Sequence, residues 1–237
     1  MQIYIQSQPD EETCGPTCLH AIYEYYQDPI SLEQVIAEVE KVPSGGTISA
    51  LLGQHALQRG YDVDMYAYNV SFFDPTWFVP EPISMPELAA KLTSQILYKE
   101  GVRFAHSSSA YIRFIELGGI IRSRDLTFGM LTEFLENNQP IITGLSSTYL
   151  YQMSREIFEN GEVLHDDIKG FPCGHFVVLC GHDQVNKTVK VADPYLKNPL
   201  SHDNYYIVDK RRLINSIMLG VLTYDANLLI IKRKGLS

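Results

Sequence analysis

Gln8-Pro9-Asp10-Glu11-Glu12-Thr13-Cys14-Gly15-Pro16-Thr17-Cys18-Leu19-His20-Ala21-Ile22-Tyr23 decides the fold, because in it a polar loop becomes a helix with a thiol at its start. Pro16 suits a first helical turn, where its missing N–H is not needed and its φ is already helical. Cys18, Ala21, Ile22 and Tyr25 recur at helical spacing and predict a buried face. Cys14 then stands at a helix N-terminus, where unpaired N–H groups and the macrodipole favour negative charge. Such a position can draw a thiol's pKa from about 8.5 into a range of roughly 3.5–7.5, which makes a nucleophile.

Composition narrows the function classes. A chain of 237 residues, 45% hydrophobic and 20% charged, has the make-up of an ordinary globular protein. At that length roughly 70–75% of the unfolded surface can be buried, so a single domain over 1–237 is expected. The net charge of −9 speaks against a nucleic-acid partner. Lys210-Arg211-Arg212 and Lys232-Arg233-Lys234 read as solvated caps. The opening Met1-Gln-Ile-Tyr-Ile lacks a basic n-region and an apolar h-region, and no apolar run reaches the roughly 18 residues that span a bilayer. A cytoplasmic protein without membrane insertion is the expectation, and its four cysteines are then expected as thiols.

The chain divides into a helical first part and a strand-rich last part. A strand near 2–6 precedes the Cys14 helix, which is expected to reach about Gln27. Ser31-Leu-Glu-Gln34 and Ser84-Met-Pro-Glu87 read as capping boxes. A third helix, from about Ile48 to Arg59, is closed by Gly60. Residues 61–135 read as an inserted helical and aromatic segment. It holds a strand at Tyr61–Tyr68, the loop Asp74-Pro-Thr-Trp77-Phe78-Val-Pro80, and helices at about 85–99, 108–117 and 127–137. Strands are expected at Gln139–Gly144, His175–Cys180, Thr188–Ala192, Tyr205–Val208, Leu219–Tyr224 and Leu228–Lys232, with a helix near 209–217. Helices first and antiparallel strands later predict an α+β fold.

A cysteine nucleophile needs a base, a group to orient that base, and donors for the oxyanion. His175 opens a strand after Gly170-Phe-Pro-Cys-Gly174, and Asp193 closes the next one. A hairpin turning near Val185 places Asp193 opposite or diagonal to His175, within reach of cross-strand contact. There a carboxylate fixes the imidazole's tautomer and stabilises imidazolium. Gln8, six residues before Cys14, can supply its side-chain amide beside the Cys14 N–H as an oxyanion hole. Taken singly, each residue also has a structural reading. Cys14 could be a small residue at a helix start, His175 a bonded strand-end histidine, Asp193 a turn residue before Pro194, and Gln8 a surface residue.

Together, Gln8-x5-Cys14-Gly-Pro-Thr-Cys-Leu-His-Ala-Ile-Tyr-x-Tyr-Tyr26, Gly174-His175-Phe-Val-Val-Leu179 and Val191-Ala-Asp193-Pro194 resemble the bacteriocin-processing, double-glycine peptidase family, a papain-like group. The resemblance covers about 2–60 and 139–225. It implies a papain-like cysteine peptidase fold, with an N-terminal helical half and a C-terminal antiparallel sheet. It also implies Cys14 as nucleophile, His175 as base and acid, Asp193 as orienting residue and Gln8 as oxyanion donor. Thr13 replaces the Asp that often precedes the family's cysteine, and the 61–135 segment has no counterpart in the compact exporter domain. Gly-x4-Gly-Lys-Ser/Thr is absent from the sequence, so this chain resembles a free-standing member.

The function so implied is a cysteine-dependent hydrolase acting on a peptide or small amide, without metal or organic cofactor. Alternatives are an acyltransferase or peptide-tailoring enzyme with the same triad, and a non-catalytic peptide-binding scaffold. From another class, Cys14, Cys18, Cys173 and Cys180 with His175 and His182 could be sorted into a zinc site. Against zinc, Cys180 and His175 point to opposite faces of one strand. Cys18 and Cys180 read as buried hydrophobes, whereas Cys173 shares the parity of His175 and could line the same cleft. His182-Asp183 and His165-Asp166-Asp167 read as solvated loops. Phe72, Phe73, Trp77 and Phe78 read as packing for the middle segment, or as a cleft lining.

Overall fold

Three helices precede the first strand in the structure, a computed structural model that describes residues 1–43, 45–159 and 162–235. They are α1 (Cys14–Tyr25), α2 (Leu32–Glu38) and α3 (Ser49–Gln58). Ser31 Oγ accepts the Gln34 N–H at 3.2 Å, which caps α2. The reciprocal half of the expected box is not made, because Gln34 Nε2 donates instead to Glu38 Oε1 at 2.6 Å. Beyond α3, Gly60 takes the left-handed conformation at φ +88°, as its place after the helix requires. In α1, every residue from Gly15 to Tyr23 is buried. The helix is therefore enclosed on several sides, by α2, α3 and the sheet, rather than laid on a core by one stripe.

Further along lie β1 (Tyr61–Ala67), a 3-10 turn at Pro75–Trp77, α4 (Met85–Ile96), α5 (Val102–Glu116), β2 (Ile120–Arg122), α6 (Phe128–Glu136), β3 (Ile141–Ser146) and α7 (Ser147–Tyr151). Then follow β4 (Glu156–Glu159), β5 (Glu162–His165), β6 (Gly174–Asp183), β7 (Thr188–Ala192), β8 (Tyr205–Asp209), α8 (Lys210–Leu219) and β9 (Asn227–Arg233). Seven strands form one sheet in the order β2-β1-β9-β3-β6-β7-β8. Among the described residues only β1 and β2 pair in parallel; their connection runs through α4 and α5, as parallel neighbours demand a long crossover. Segment 61–135 thus supplies one end of the central sheet as well as helices. The chain is α+β, with a papain-like arrangement of helices against a mostly antiparallel sheet.

Each face of the sheet is covered. Ile142, Phe176, Val178, Cys180 and Leu229 meet the Leu19, Ile22 and Leu52 side chains of α1 and α3. Ile141, Leu145, Val177, Leu179 and Ile230 meet Leu131 of α6 and Leu213 and Ile217 of α8. Each such side chain contributes roughly 1.5–3 kcal/mol by leaving water.

Four further expectations need correction. Residues 2–6 are not a ladder strand. Ile3 and Ile5 are buried in alternation, yet the Ile5 N–H and the Ile3 carbonyl both bond to the single phenol of Tyr205, at 3.1 Å each. Leu219–Tyr224 is not a strand either but the end of α8 and a 3-10 turn over Gly220–Thr223. Gly220 there sits against backbone, since an added Cβ would lie 2.8 Å from the Ala226 nitrogen. The helix expected from 108 begins at Val102. The Ser84 box forms with both halves bonded, but α4 stops at Ile96 rather than 99.

Candidate active site

The beginning of α1 is pressed against the beginning of β6. Gly15 makes this approach possible, because a Cβ there would meet Thr47 Cγ2 at 2.6 Å and Phe176 Cδ2 at 3.2 Å. From the next turn of the helix, Cys18 Sγ donates to the Phe176 carbonyl at 3.2 Å. Cys14, the first helical residue, is half-buried beside the strand end that carries His175.

His175 and Asp193 meet as a hairpin turning near Val185 requires. The β6–β7 register pairs Val178 with Ala192, so Asp193, just past β7, stands diagonal to His175. His175 Nε2 and Asp193 Oδ1 are 2.8 Å apart, and Asp193 is fully buried. Burial by itself would lower the imidazole's pKa. The Asp193 charge and hydrogen bond, with a further contribution from Cys14, outweigh it and raise His175 to about 10. Asp193 stays below the usual carboxylate range despite its burial, held down by His175 and by the phenols of Tyr151 and Tyr206. Because Nε2 is committed to Asp193, Nδ1 is the ring nitrogen left to face the thiol. Cys14 acts on the ring through both its charge and a side-chain hydrogen bond, so the thiol and the imidazole are neighbours.

Two phenols in the site escape sequence reasoning. Tyr151 Oη and Tyr206 Oη each donate to Asp193 Oδ2 at 2.7 Å. The Tyr195 N–H donates to Oδ1 at 2.8 Å. A carboxylate with four donors has its lone pairs satisfied. Sequence spacing carries no mark of this, since the phenols come from α7 and β8, far apart in the chain.

A cavity of about 430 Å³ opens beside the imidazole, lined in part by Gln8, Tyr151, Glu156, Cys173, His175 and Tyr195. Gln8 and His175 are therefore brought to one cavity, whereas Cys14 neighbours His175 but is not among the residues that line it. The Gln8 N–H donates to the Pro194 carbonyl at 2.9 Å, which ties the segment before α1 to the segment after β7. One amide hydrogen of Gln8 is used by the Asp10 carbonyl at 2.8 Å, and its buried Oε1 has no partner among the described residues. The second amide hydrogen of Gln8 has no acceptor among the described residues.

Cys173 lies in this cavity too, as its parity suggests. Burial, followed by the Glu156 carboxylate, pushes its thiol up to about 12, so it is protonated at neutral pH. Cys180 Sγ donates to the Lys190 carbonyl at 3.6 Å on the other face of the sheet. Among the described residues no group of three or more His, Cys, Asp or Glu side chains converges as a metal site would. His165 is on the cavity wall, whereas His182 lies 3.7 Å from Glu136 and Asp183 bonds its own turn. Phe72, Phe73 and Phe78 are buried, and Phe72 stacks on Phe104 with centroids 4.9 Å apart, so these rings pack the middle segment. No described helix is long and apolar enough to cross a membrane.

The profile of the Peptidase_C39 like family matches residues 1–215. The chain belongs to that family. Among solved structures, this family member is similar to a C39-like peptidase from Bacillus anthracis, with a TM-score of 0.50 and 13% identity over 98% of this chain and 96% of that one. It is also similar to the peptidase domain of Streptococcus ComA, a bi-functional ABC transporter of a quorum-sensing pathway, at TM-score 0.45 and 12% identity over 98% and 100% of the two chains. A double glycine motif protease from an AMS/PCAT transporter, solved with a leader peptide, gives 0.44 and 16% over 98% and 93%. No curated protein matches the chain. Family and fold support a cysteine peptidase-like enzyme.

Proposed function

We propose that this protein hydrolyses a peptide or amide bond through a Cys14 thioester. The observation that carries the reading is the buried His175–Asp193 pair, 2.8 Å apart, at the foot of the helix that begins with Cys14 and beside a peptide-sized cavity. A proton resting on His175 leaves Cys14 free to attack as thiolate. Its Sγ adds to the carbonyl carbon, and the oxyanion is received by first-turn N–H groups of α1 and the spare hydrogen of Gln8. His175 gives its proton to the leaving nitrogen, and the C–N bond breaks to leave a thioester. His175 then takes a proton from water as the water's oxygen attacks the thioester carbonyl. The acid departs, and Cys14 and His175 return to their starting states.

Iodoacetamide at pH 7 with peptide mapping tests this reading. Cys14 should be alkylated far ahead of Cys18, Cys173 and Cys180, and the preference should vanish in His175→Ala. Equal, slow labelling of all accessible thiols in the wild type would remove the support for a cysteine enzyme.

A further inference from the structure

Asp193 has a more elaborate setting than orienting one imidazole requires. It is fully buried, Oδ1 receives His175 Nε2 and the Tyr195 N–H, and Oδ2 receives two phenols at 2.7 Å. Tyr206 is built into β8, where its neighbour across the ladder is Val191, two residues before Asp193. Tyr151 ends α7, and its ring stands 6.2 Å from His175 and 6.4 Å from Tyr195. Two unrelated elements therefore deliver the same donor to the same oxygen.

We propose that Tyr151 and Tyr206 are paired positioning residues that keep Asp193 a carboxylate, so that the proton it shares with His175 stays on the imidazole. This rests on the catalytic reading above. A buried acid–imidazole couple has two forms, an ion pair and a neutral pair, and low polarity favours the neutral one. Hydrogen bonds to a charged acceptor are stronger than those to a neutral acceptor. Each phenol therefore biases the couple towards carboxylate and imidazolium, by roughly tenfold. The phenols themselves remain donors, since burial and the Asp193 charge hold both far above the ordinary tyrosine range. The other titratable groups acting on the couple include Cys14 and Cys18 from α1, Tyr195 after β7 and Asp225 before β9; the Cys18 thiol is committed to the Phe176 carbonyl. None of these side chains donates a hydrogen bond to the Asp193 carboxylate among the described residues. Tyr151 also lines the cavity, which puts one member of the pair within reach of bound substrate.

The test is 15N NMR of histidine-labelled protein at pH 7, together with the Cys14 alkylation rate, in wild type, Tyr151→Phe, Tyr206→Phe and the double variant. The wild type should show His175 as imidazolium. Each single variant should slow Cys14 labelling about tenfold, and the double variant should show a neutral ring. In an Asp193→Asn background the same Tyr→Phe changes should add nothing, because the acceptor they serve is gone. Full imidazolium and wild-type labelling in the double variant would overturn the proposal, as would equal losses in the Asp193→Asn background. If the double variant does not fold, Tyr151→Phe alone decides, an unchanged rate counting against the pair. A wild type with a neutral His175 and unselective labelling would instead bring down the catalytic reading itself.

Discussion

Gln8 and Pro194 are joined by a backbone hydrogen bond of 2.9 Å, and through it the segment before the Cys14 helix is fastened to the segment that follows Asp193. Two stretches from nearly opposite ends of the chain thereby hold the two walls of the site in register. One wall carries the helix start, the other the acid–imidazole couple.

The couple makes stability depend on pH in a defined sense. His175 has its folded pKa raised to about 10, so its contribution is complete below about 6.5 and fades as pH climbs through 10. Asp193 is lowered, so its contribution is complete above about 3.9 and is lost only on acidification below that value. Urea midpoints should therefore fall between about pH 6.5 and about pH 10. Asp193→Asn should flatten that fall, because the buried ring no longer has a charge to answer. An undiminished alkaline decline in the variant would assign it to other groups.

Gly15 should tolerate no side chain. In Gly15→Ala the new methyl would sit 2.6 Å from Thr47 Cγ2 and 3.2 Å from the Phe176 ring, so the first turn of α1 must back away from β6. The expected loss is about 1–3 kcal/mol in chemical denaturation, with slower alkylation of Cys14 as the thiol moves from His175. A variant as stable and as reactive as wild type would show that helix and strand have room to spare.

Asp225 is a second buried carboxyl with a different history. Its Oδ1 has no partner among the described residues, and burial, opposed only in part by the charges of Arg103 and His175, lifts its pKa to about 8. A raised acid supports folding fully below about 3.9 and ceases to do so as pH rises through 8. Asp225→Asn should therefore gain relative to wild type on going from about pH 4 to about pH 9, measured by thermal midpoints at both. Parallel midpoints would mean that Asp225 finds a partner and ionises normally.

Much of this arrangement is legible in the sequence where a local rule is decisive. Pro16 and the polar run before it mark the start of α1, Gly60 the end of α3, and Ser84 with Glu87 the box that opens α4. The turn near Val185 fixes the β6–β7 hairpin, and with it the diagonal relation of His175 to Asp193. Legibility ends where the deciding contact is remote. Leu219–Tyr224 is apolar enough for a strand, but Gly220 packed against Ala226 closes it into a 3-10 turn. Ile3 and Ile5 alternate like a strand, yet a tyrosine side chain replaces the ladder. The hairpin of β4 and β5 gives no signal because each strand is only 4 residues long, without apolar–polar alternation, and the pair stands apart from the main sheet. Tyr151 and Tyr206 are invisible for the same kind of reason, since a phenol aimed at a carboxylate looks, in sequence, like any other tyrosine.

The place of β9 in the sheet bears on how a nascent chain acquires its shape. It lies between β1 and β3, so without residues 227–233 no ladder joins β2-β1 to β3-β6-β7-β8, and each group presents an unpaired edge where β9 belongs. Such long-range closure is slow, and open edges invite wrong partners while they wait. The wall bearing His175 can be assembled before that moment. The clamp that unites it with the β1 side of the molecule, β9, comes later in the chain than either ribbon.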